Sequence, residues 1–164
     1  MLVDQNDQAL RIGPIHRSVA AVTLSDLSEL SEQRGDSFEV LTDRERALSC
    51  WTDPDDDMAA FAVSDGQAWA VLRTKRTHEV DATVLHESLL PAWHVADQQV
   101  GYHHSLDQAL NATSRQPGLV VAVRPPTLAQ VMDAAARGLR MPRKSTSFSP
   151  KPRMGVVMRD LRDA

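Results

Sequence analysis

Two apolar runs joined by a tight turn constrain the fold of this chain most strongly. Met58–Val63 and Ala68–Arg73 are both rich in aliphatic residues, and Ser64-Asp65-Gly66-Gln67 separates them. An Asp-Gly pair between two such runs predicts a β-hairpin, because hairpin turns require positive φ angles that glycine adopts without steric cost. The middle of the chain is therefore expected to form an antiparallel strand pair.

Further strands and helices are predicted on both sides of the hairpin. An extended segment at Ala9–Val22 is interrupted by Gly13-Pro14, which indicates a bend or bulge. Shorter strands are predicted at Phe38–Leu41, Val100–His104, Leu119–Val123 and Val156–Met158. Helices are predicted from Ser25 to a stop at Gly35, over Asp43–Trp51, from an Asp81 cap to Leu90, from Ser105 to about Arg115, and from Thr127 to Arg137.

Three capping boxes support these helices: Thr42–Glu45, Ser105–Gln108 and Thr127–Gln130. The order of elements predicts a single mixed α+β domain over residues 1–164, with a mixed sheet, one hairpin and about five helices. The most plausible seam lies at Lys75–Glu79, between the hairpin and the following helix.

Composition narrows the class of protein. Aromatic residues make up only 4% of the chain, so aliphatic side chains must build the core. Cys50 is the only cysteine, which excludes an intramolecular disulfide and gives no indication of a zinc cluster. The sequence has no apolar run of membrane-spanning length and no leader-like start, so we expect a cytoplasmic protein without a membrane partner.

Charge is distributed unevenly along the chain. Residues 1–133 carry 20 acidic and 10 basic side chains, whereas residues 134–164 carry 2 acidic and 8 basic ones. The basic end contains a Pro-rich run, Leu139–Gly155, without any Asp or Glu. Such a segment can fold back on its own acidic body or bind an anionic partner. The pI of about 5.8 and the single aromatic residue of the run, Phe148, argue against nucleic acid.

The centre of the basic run is a candidate phosphate or nucleotide site. Lys144 supplies a charge and Ser145 and Thr146 supply hydroxyl groups. It is not the phosphate-binding loop of NTPases, because no glycine lies between Gly138 and Lys144. Alternatively, the hydroxyl groups satisfy their own backbone in a structural crossover. The same candidate site includes the flanking cations Arg143 and Lys151.

His16 and Arg17 extend this candidate site. A histidine can act as acid or base, and an arginine can hold an anion through two hydrogen bonds. The alternative is a pair on an edge strand that faces solvent. His86-Glu87 lacks the second histidine of a metalloprotease motif, and His103-His104 alternate across a strand, so no metal site is predicted. No catalytic residue is identified.

Three segments together resemble a known family. They are Leu10–Arg17, Val80–Leu90 and Arg140–Lys151, the last followed by Gly155. Their order and spacing are similar to the C-terminal half of the domain-of-unknown-function 1015 family, which is often described as ParB-like and is distantly similar to free serine kinases. Two features depart from the family pattern. The Asp-Gly-His-His-Arg block of the family's N-terminal half is absent, and Ser149 stands where an aromatic residue is common.

The resemblance implies an accessory or binding domain that is not an enzyme by itself. Its basic loop, with His16 and Arg17, would contribute to a nucleotide or phosphate site, with ATP, ADP or CTP as the candidate ligand. Its partner would be a separate ParB-like N-terminal half or a second copy in a homo-oligomer. One alternative is the phosphotransferase part of a split, free-serine-kinase-like enzyme, in which only His16 or Glu87 could be argued as the base. The other is a purely structural or assembly module.

Overall fold

The computed structural model describes residues 11–52 and 57–149. Its strands are β1 (Arg11–Gly13), β2 (His16–Ala20), β3 (Ser37–Leu41), β4 (Met58–Ser64), β5 (Trp69–Lys75), β6 (Val100–His103), β7 (Gly118–Ala122) and β8 (Ser147–Ser149). Its α-helices are α1 (Leu24–Arg34), α2 (Arg44–Thr52), α3 (Asp81–Val84), α4 (Leu90–Ala92), α5 (Leu106–Thr113) and α6 (Leu128–Ala136). A π-helical turn, Leu85–Leu89, joins α3 to α4, and a 3-10 turn, Asp97–Gln99, precedes β6.

Six of the strands form one sheet in the order β3-β5-β4-β7-β2-β6. Each pairing in this sheet is antiparallel. The predicted hairpin is the β4–β5 pair, and β2 lies between β7 and β6. A separate two-stranded ribbon pairs β1 with β8. The mixed α+β class is confirmed. With α3, the π-helical turn and α4 counted as one continuous helix, the described chain has the predicted five helices besides the 3-10 turn. The predicted mixed sheet is instead antiparallel in every described pairing, because the direction of a strand depends on its distant partner and not on a local pattern.

Apolar side chains pack on both faces of the sheet, because successive residues of a strand point to opposite sides. On one face, Val19, Phe61 and Leu72 pack with Leu85 and Leu89 of the π-helical turn. The other face has a smaller cluster built on strands β3, β4, β5 and β7 and helix α2, whose buried members are Leu41, Ala47, Ala62, Trp69, Val71 and Ala122. The sheet is therefore a central layer, and its two faces can carry separate polar sites.

The predicted caps are correct at α5 and α6, whereas the starts of α1 and α2 are displaced by one or two residues. Thr127 and Gln130 form the predicted two-sided box at α6, and the Ser105 hydroxyl accepts from the Gln108 amide at α5. At α1 the box is formed by Thr23 and Asp26, so the helix begins before the predicted Ser25. At α2 the cap is Asp43, not Thr42, because its carboxylate accepts from the Arg46 amide at 2.7 Å.

Asp81 is the clearest error among the predicted caps. The residue before α3 is Val80, which makes no side-chain cap. The Asp81 carboxylate instead accepts from Arg76 Nη1 at 2.7 Å and from Arg124 Nε at 2.6 Å. Asp81 is 6% exposed, so this ion pair ties the end of β5, the start of α3 and the segment after β7 together inside the protein.

Part of the basic run has regular structure that the sequence did not reveal. Residues Ser147–Ser149 form β8, and Phe148 lies opposite Ile12 in β1. The ribbon returns the basic run to the start of the described chain. The predicted strand Val156–Met158 lies outside the described residues. No helix within the described residues has the length and apolar character needed to cross a bilayer.

Replacing Asp81 with Ala should destabilise the protein by about 3 kcal/mol, because it leaves two arginines beside a buried site without their carboxylate. Asp107→Ala is the matched control. Asp107 pairs with Arg44 at 2.9 Å, but its side chain is 74% exposed, so the change should cost about 0.5 kcal/mol or less. Urea unfolding of both variants measures the difference. Equal losses would contradict a special role for the buried pair.

Candidate functional site

The candidate site lies where β2 pairs with the edge strand β6. Arg17 is opposite Tyr102 in this pairing, and His16 is opposite His103. Since neighbouring residues alternate between faces, Arg17 and Tyr102 share the face that carries the π-helical turn. His16 and His103 share the other face, which carries α2. The sequence-predicted pair His16-Arg17 is therefore divided between two sides of the sheet.

Arg17 is the largest fully buried side chain of the described residues, with 0% exposure. Its Nε donates to Nε2 of His86 at 3.1 Å, and its Nη1 donates to the Ile15 carbonyl. Its Nη2 has no hydrogen-bond partner among the described residues. Burial lowers the pKa of Arg17 to about 10, so the side chain still carries its charge at neutral pH.

Tyr102 connects Arg17 to the basic loop. The Arg17 guanidinium carbon lies 4.8 Å from the centroid of the Tyr102 ring, and that of Arg143 lies 5.4 Å from it. The Tyr102 hydroxyl accepts from Nε of Arg143 at 3.4 Å. His86 stacks against the same ring, at 6.1 Å and an interplanar angle of 4°. We call these four residues the Tyr102 cluster.

His86 is neutral in this cluster. Burial, followed by the charge of Arg17, lowers the pKa of His86 to about 4, with Arg143 acting in the same direction and Asp97 opposing it. Because Nε2 of His86 accepts the Arg17 hydrogen bond, its proton lies on Nδ1. Arg17 and Arg143 therefore remain the two cations of the cluster at neutral pH.

The opposite face holds a second polar group. His16 is 6% exposed, its Nδ1 accepts from the Val123 amide at 3.3 Å, and its ring meets Trp51 edge-on at 6.2 Å. Burial, followed by the charges of Arg17 and His103, lowers its pKa to about 4. The alternative that His16 and Arg17 face solvent is wrong, because both side chains are enclosed by layers on the two sides of the sheet.

Ser18 and His103 lie on the same face as His16. Ser18 Oγ and His103 Nε2 are 2.8 Å apart. A Cβ atom at Gly101 would come within 2.3 Å of Ser18 Oγ and 3.0 Å of His103 Nε2, so only glycine leaves room for this pair. His104, the other half of the predicted pair, is exposed.

The basic loop supplies one more cation beside Arg143. Lys144 is exposed and has a φ of 59°, a conformation that costs a lysine roughly 1–2 kcal/mol. Ser145 is buried, and its Oγ donates to the Pro142 carbonyl at 2.5 Å. Its hydroxyl thus satisfies the loop backbone, as the structural alternative expected. Thr146 is half-buried, and Lys151 lies outside the described residues.

The structure therefore joins two of the predicted site residues, Arg17 and Arg143, through Tyr102. The sequence did not identify Tyr102 as a site residue, and it singled out His86 only as part of an incomplete metalloprotease motif. The predicted strand Val100–His104 correctly included Tyr102. The residue that lies opposite Tyr102 in the neighbouring strand, however, depends on the order of strands in the sheet. In the described ranges no group of three or more His, Cys, Asp or Glu side chains could hold a metal ion.

Lowering the pH should destabilise the protein between about pH 6.5 and 4. His16 and His86 have folded pKa values of about 4, against 6.5 as the ordinary value, so the unfolded chain binds more protons in this window. For His16 the full effect is on the order of 3 kcal/mol. Urea unfolding at pH 7.5 and pH 5 measures the loss.

His16→Asn should reduce this pH dependence, because an asparagine can keep the acceptor for the Val123 amide but does not titrate. His104→Asn is the control, since His104 is exposed. If the free energy of unfolding of His16→Asn falls between pH 7.5 and pH 5 as much as that of the unmodified protein, the buried histidine does not cause the acid sensitivity.

Comparison with known proteins gives a fold likeness only. No protein-family model matches the sequence, and no curated protein sequence matches it either. Among solved structures, the chain is similar to a free serine kinase in complex with AMP, with a TM-score of 0.57 and 14% identity over 90% of this chain and 57% of that one.

Two other solved structures have the same fold relationship. A variant of free serine kinase in complex with ADP gives a TM-score of 0.55 at 16% identity, and the match covers 90% of this chain and 57% of that one. A conserved hypothetical protein from Pyrococcus furiosus gives 0.56 at 15% identity, with coverages of 90% and 60%. The chain thus spans less than two thirds of the length of these structures.

Proposed function

We propose that this chain is a binding domain whose Tyr102 cluster and basic loop contribute to a nucleotide or phosphate site. The observation that carries the proposal is Arg17, a fully buried cation. Among the described residues it has no carboxylate partner, and its Nη2 makes no hydrogen bond. An anion bound at this position would supply the missing acceptor.

The energetics of burial favour a bound anion. Removing an arginine from water costs several kcal/mol unless charge and hydrogen bonds compensate. The partners of Arg17 in the described chain are neutral: His86, the Ile15 carbonyl and the Tyr102 ring. Arg143 lies against the same ring, and Lys144 follows it in the loop. Phosphate offers several acceptor oxygens and matches the planar donors of arginine.

The fold likeness supports a nucleotide as the source of the phosphate. Solved structures with this fold include free serine kinases in complex with AMP or ADP. We therefore propose an adenine nucleotide such as ADP or ATP as the first ligand to test, with CTP as an alternative base. The resemblance to the domain-of-unknown-function 1015 family adds the proposal that a ParB-like half, or a second copy of this chain, completes the site.

A binding role accounts for the geometry better than an independent phosphotransferase. Phosphoryl transfer to a hydroxyl needs a general base beside the acceptor. His16 lies on the face of the sheet opposite to Arg17. Glu87 is exposed, and its carboxylate is 3.3 Å from Nε2 of His78. Neither residue belongs to the Tyr102 cluster, so the described part of the chain supports a binding contribution.

Arg143→Ala should weaken binding of ADP about tenfold, because it removes a charge-assisted hydrogen bond from the guanidinium to the ligand phosphate beside Tyr102. Lys144→Ala should weaken it less, by about threefold, since an exposed lysine is screened by solvent. Isothermal titration with ADP, ATP, CTP and inorganic phosphate measures both effects. Circular dichroism of each variant should match the unmodified protein.

Arg115→Ala is the control, because Arg115 is exposed in the turn after α5 and the substitution removes the same charge. Its affinity should remain within about twofold of the unmodified protein. Absence of binding by the unmodified protein at millimolar ligand, or an equal loss in all three variants, would contradict the proposed site.

A further inference from the structure

We propose that His86 is a positioning residue, which fixes the Arg17 guanidinium so that its buried, unpartnered Nη2 keeps the orientation from which it would donate to the anion. This inference rests on the proposed anion site. His86 does not need to touch the ligand. Its role is to hold Arg17, the one side chain of the cluster with a buried donor that has no partner in the described chain.

The three nitrogens of Arg17 have different roles. Nε donates to Nε2 of His86 at 3.1 Å, and Nη1 donates to the Ile15 carbonyl. These two contacts, one from a side chain and one from the backbone, fix the plane of the guanidinium and its rotation within that plane. Nη2 is the buried nitrogen that has no hydrogen-bond partner in the described chain. If the His86 acceptor were lost, Arg17 could turn its Nε away and redirect Nη2.

The backbone that carries His86 is unusual. His86 lies in the π-helical turn Leu85–Leu89, which closes with a hydrogen bond from the Leu90 amide to the Leu85 carbonyl. Leu85, Leu89 and Leu90 are all buried in the larger core cluster. A π-turn accommodates one more residue than an α-turn, and such turns are frequent at functional sites. Here it lies between α3 and α4 and presents His86 to Arg17 while the leucines remain packed.

The surroundings of His86 keep it an acceptor. Arg17 and Arg143 are the cations that act on it, Asp97 is the carboxylate, and Tyr102 stacks on its ring. A neutral imidazole with the proton on Nδ1 leaves Nε2 free to accept from arginine. A glutamine side chain also offers a neutral acceptor, whereas leucine fills space without one. Comparing His86→Gln with His86→Leu therefore distinguishes a role of His86 in orienting Arg17 from a role in packing alone.

The test uses the full chain with His86→Gln, His86→Leu and His86→Ala, and with His104→Leu as a control at an exposed histidine. The first measurement is the nitrogen-15 NMR signal of the Arg17 Nε–H group, assigned with Arg17→Lys. The unmodified protein, His86→Gln and His104→Leu should show a slowly exchanging signal. His86→Leu and His86→Ala should lose it. The alanine variant keeps the test valid if leucine prevents folding.

The second measurement is the affinity for ADP and for inorganic pyrophosphate by isothermal titration. His86→Ala and His86→Leu should bind at least tenfold more weakly, and His86→Gln should stay within about threefold of the unmodified protein. A glutamine variant as weak as the leucine variant would overturn the proposal, as would full affinity in His86→Ala. If the unmodified protein binds neither ligand, the anion site itself fails, and the Arg17 signal alone decides whether His86 orients Arg17.

Discussion

The buried charge of Arg17 is the constraint on which the candidate site depends. A guanidinium with no exposed surface must find acceptors inside the protein, and two separate parts of the chain provide them. The Ile15 carbonyl comes from the segment just before β2, and His86 comes from the π-helical turn. Tyr102 on β6 supplies an aromatic face at 4.8 Å. Placing one cation at this position therefore links an interior strand, an edge strand and a helix.

The sheet separates two polar groups, because the adjacent residues His16 and Arg17 of β2 point to its opposite faces. Arg17 lies with Tyr102 and Arg143 on one face, while His16 lies with Trp51 on the other, and Ser18 and His103 form a hydrogen-bonded pair there. Burial is the main cause of the lowered pKa of His16, but the charge of Arg17 lowers it further. The two groups are thus chemically distinct but electrostatically connected through a single strand, β2.

Local sequence signals predicted much of the fold. The Asp65-Gly66 turn gave the β4–β5 hairpin, and the Thr127–Gln130 box gave the start of α6. Predictions failed where a side chain found a distant partner. Asp81 pairs with Arg76 and Arg124 instead of capping a helix, and Arg124 is 43 residues away in the sequence. Strand β8 was missed because it depends on pairing with β1, more than 130 residues earlier.

The sequence by itself determined the class of elements, the hairpin and the presence of a basic, phosphate-compatible loop, because these depend on local periodicity, turn chemistry and charge. It also supplied Arg17 and Arg143 as members of one candidate site, without a contact between them. Only the tertiary structure placed both arginines against the ring of Tyr102. It also buried Ser145, whose hydroxyl bonds within its own loop, and placed His86 as the acceptor for Arg17. These outcomes depend on strand order and on the register of β2 with β6, which no local pattern encodes.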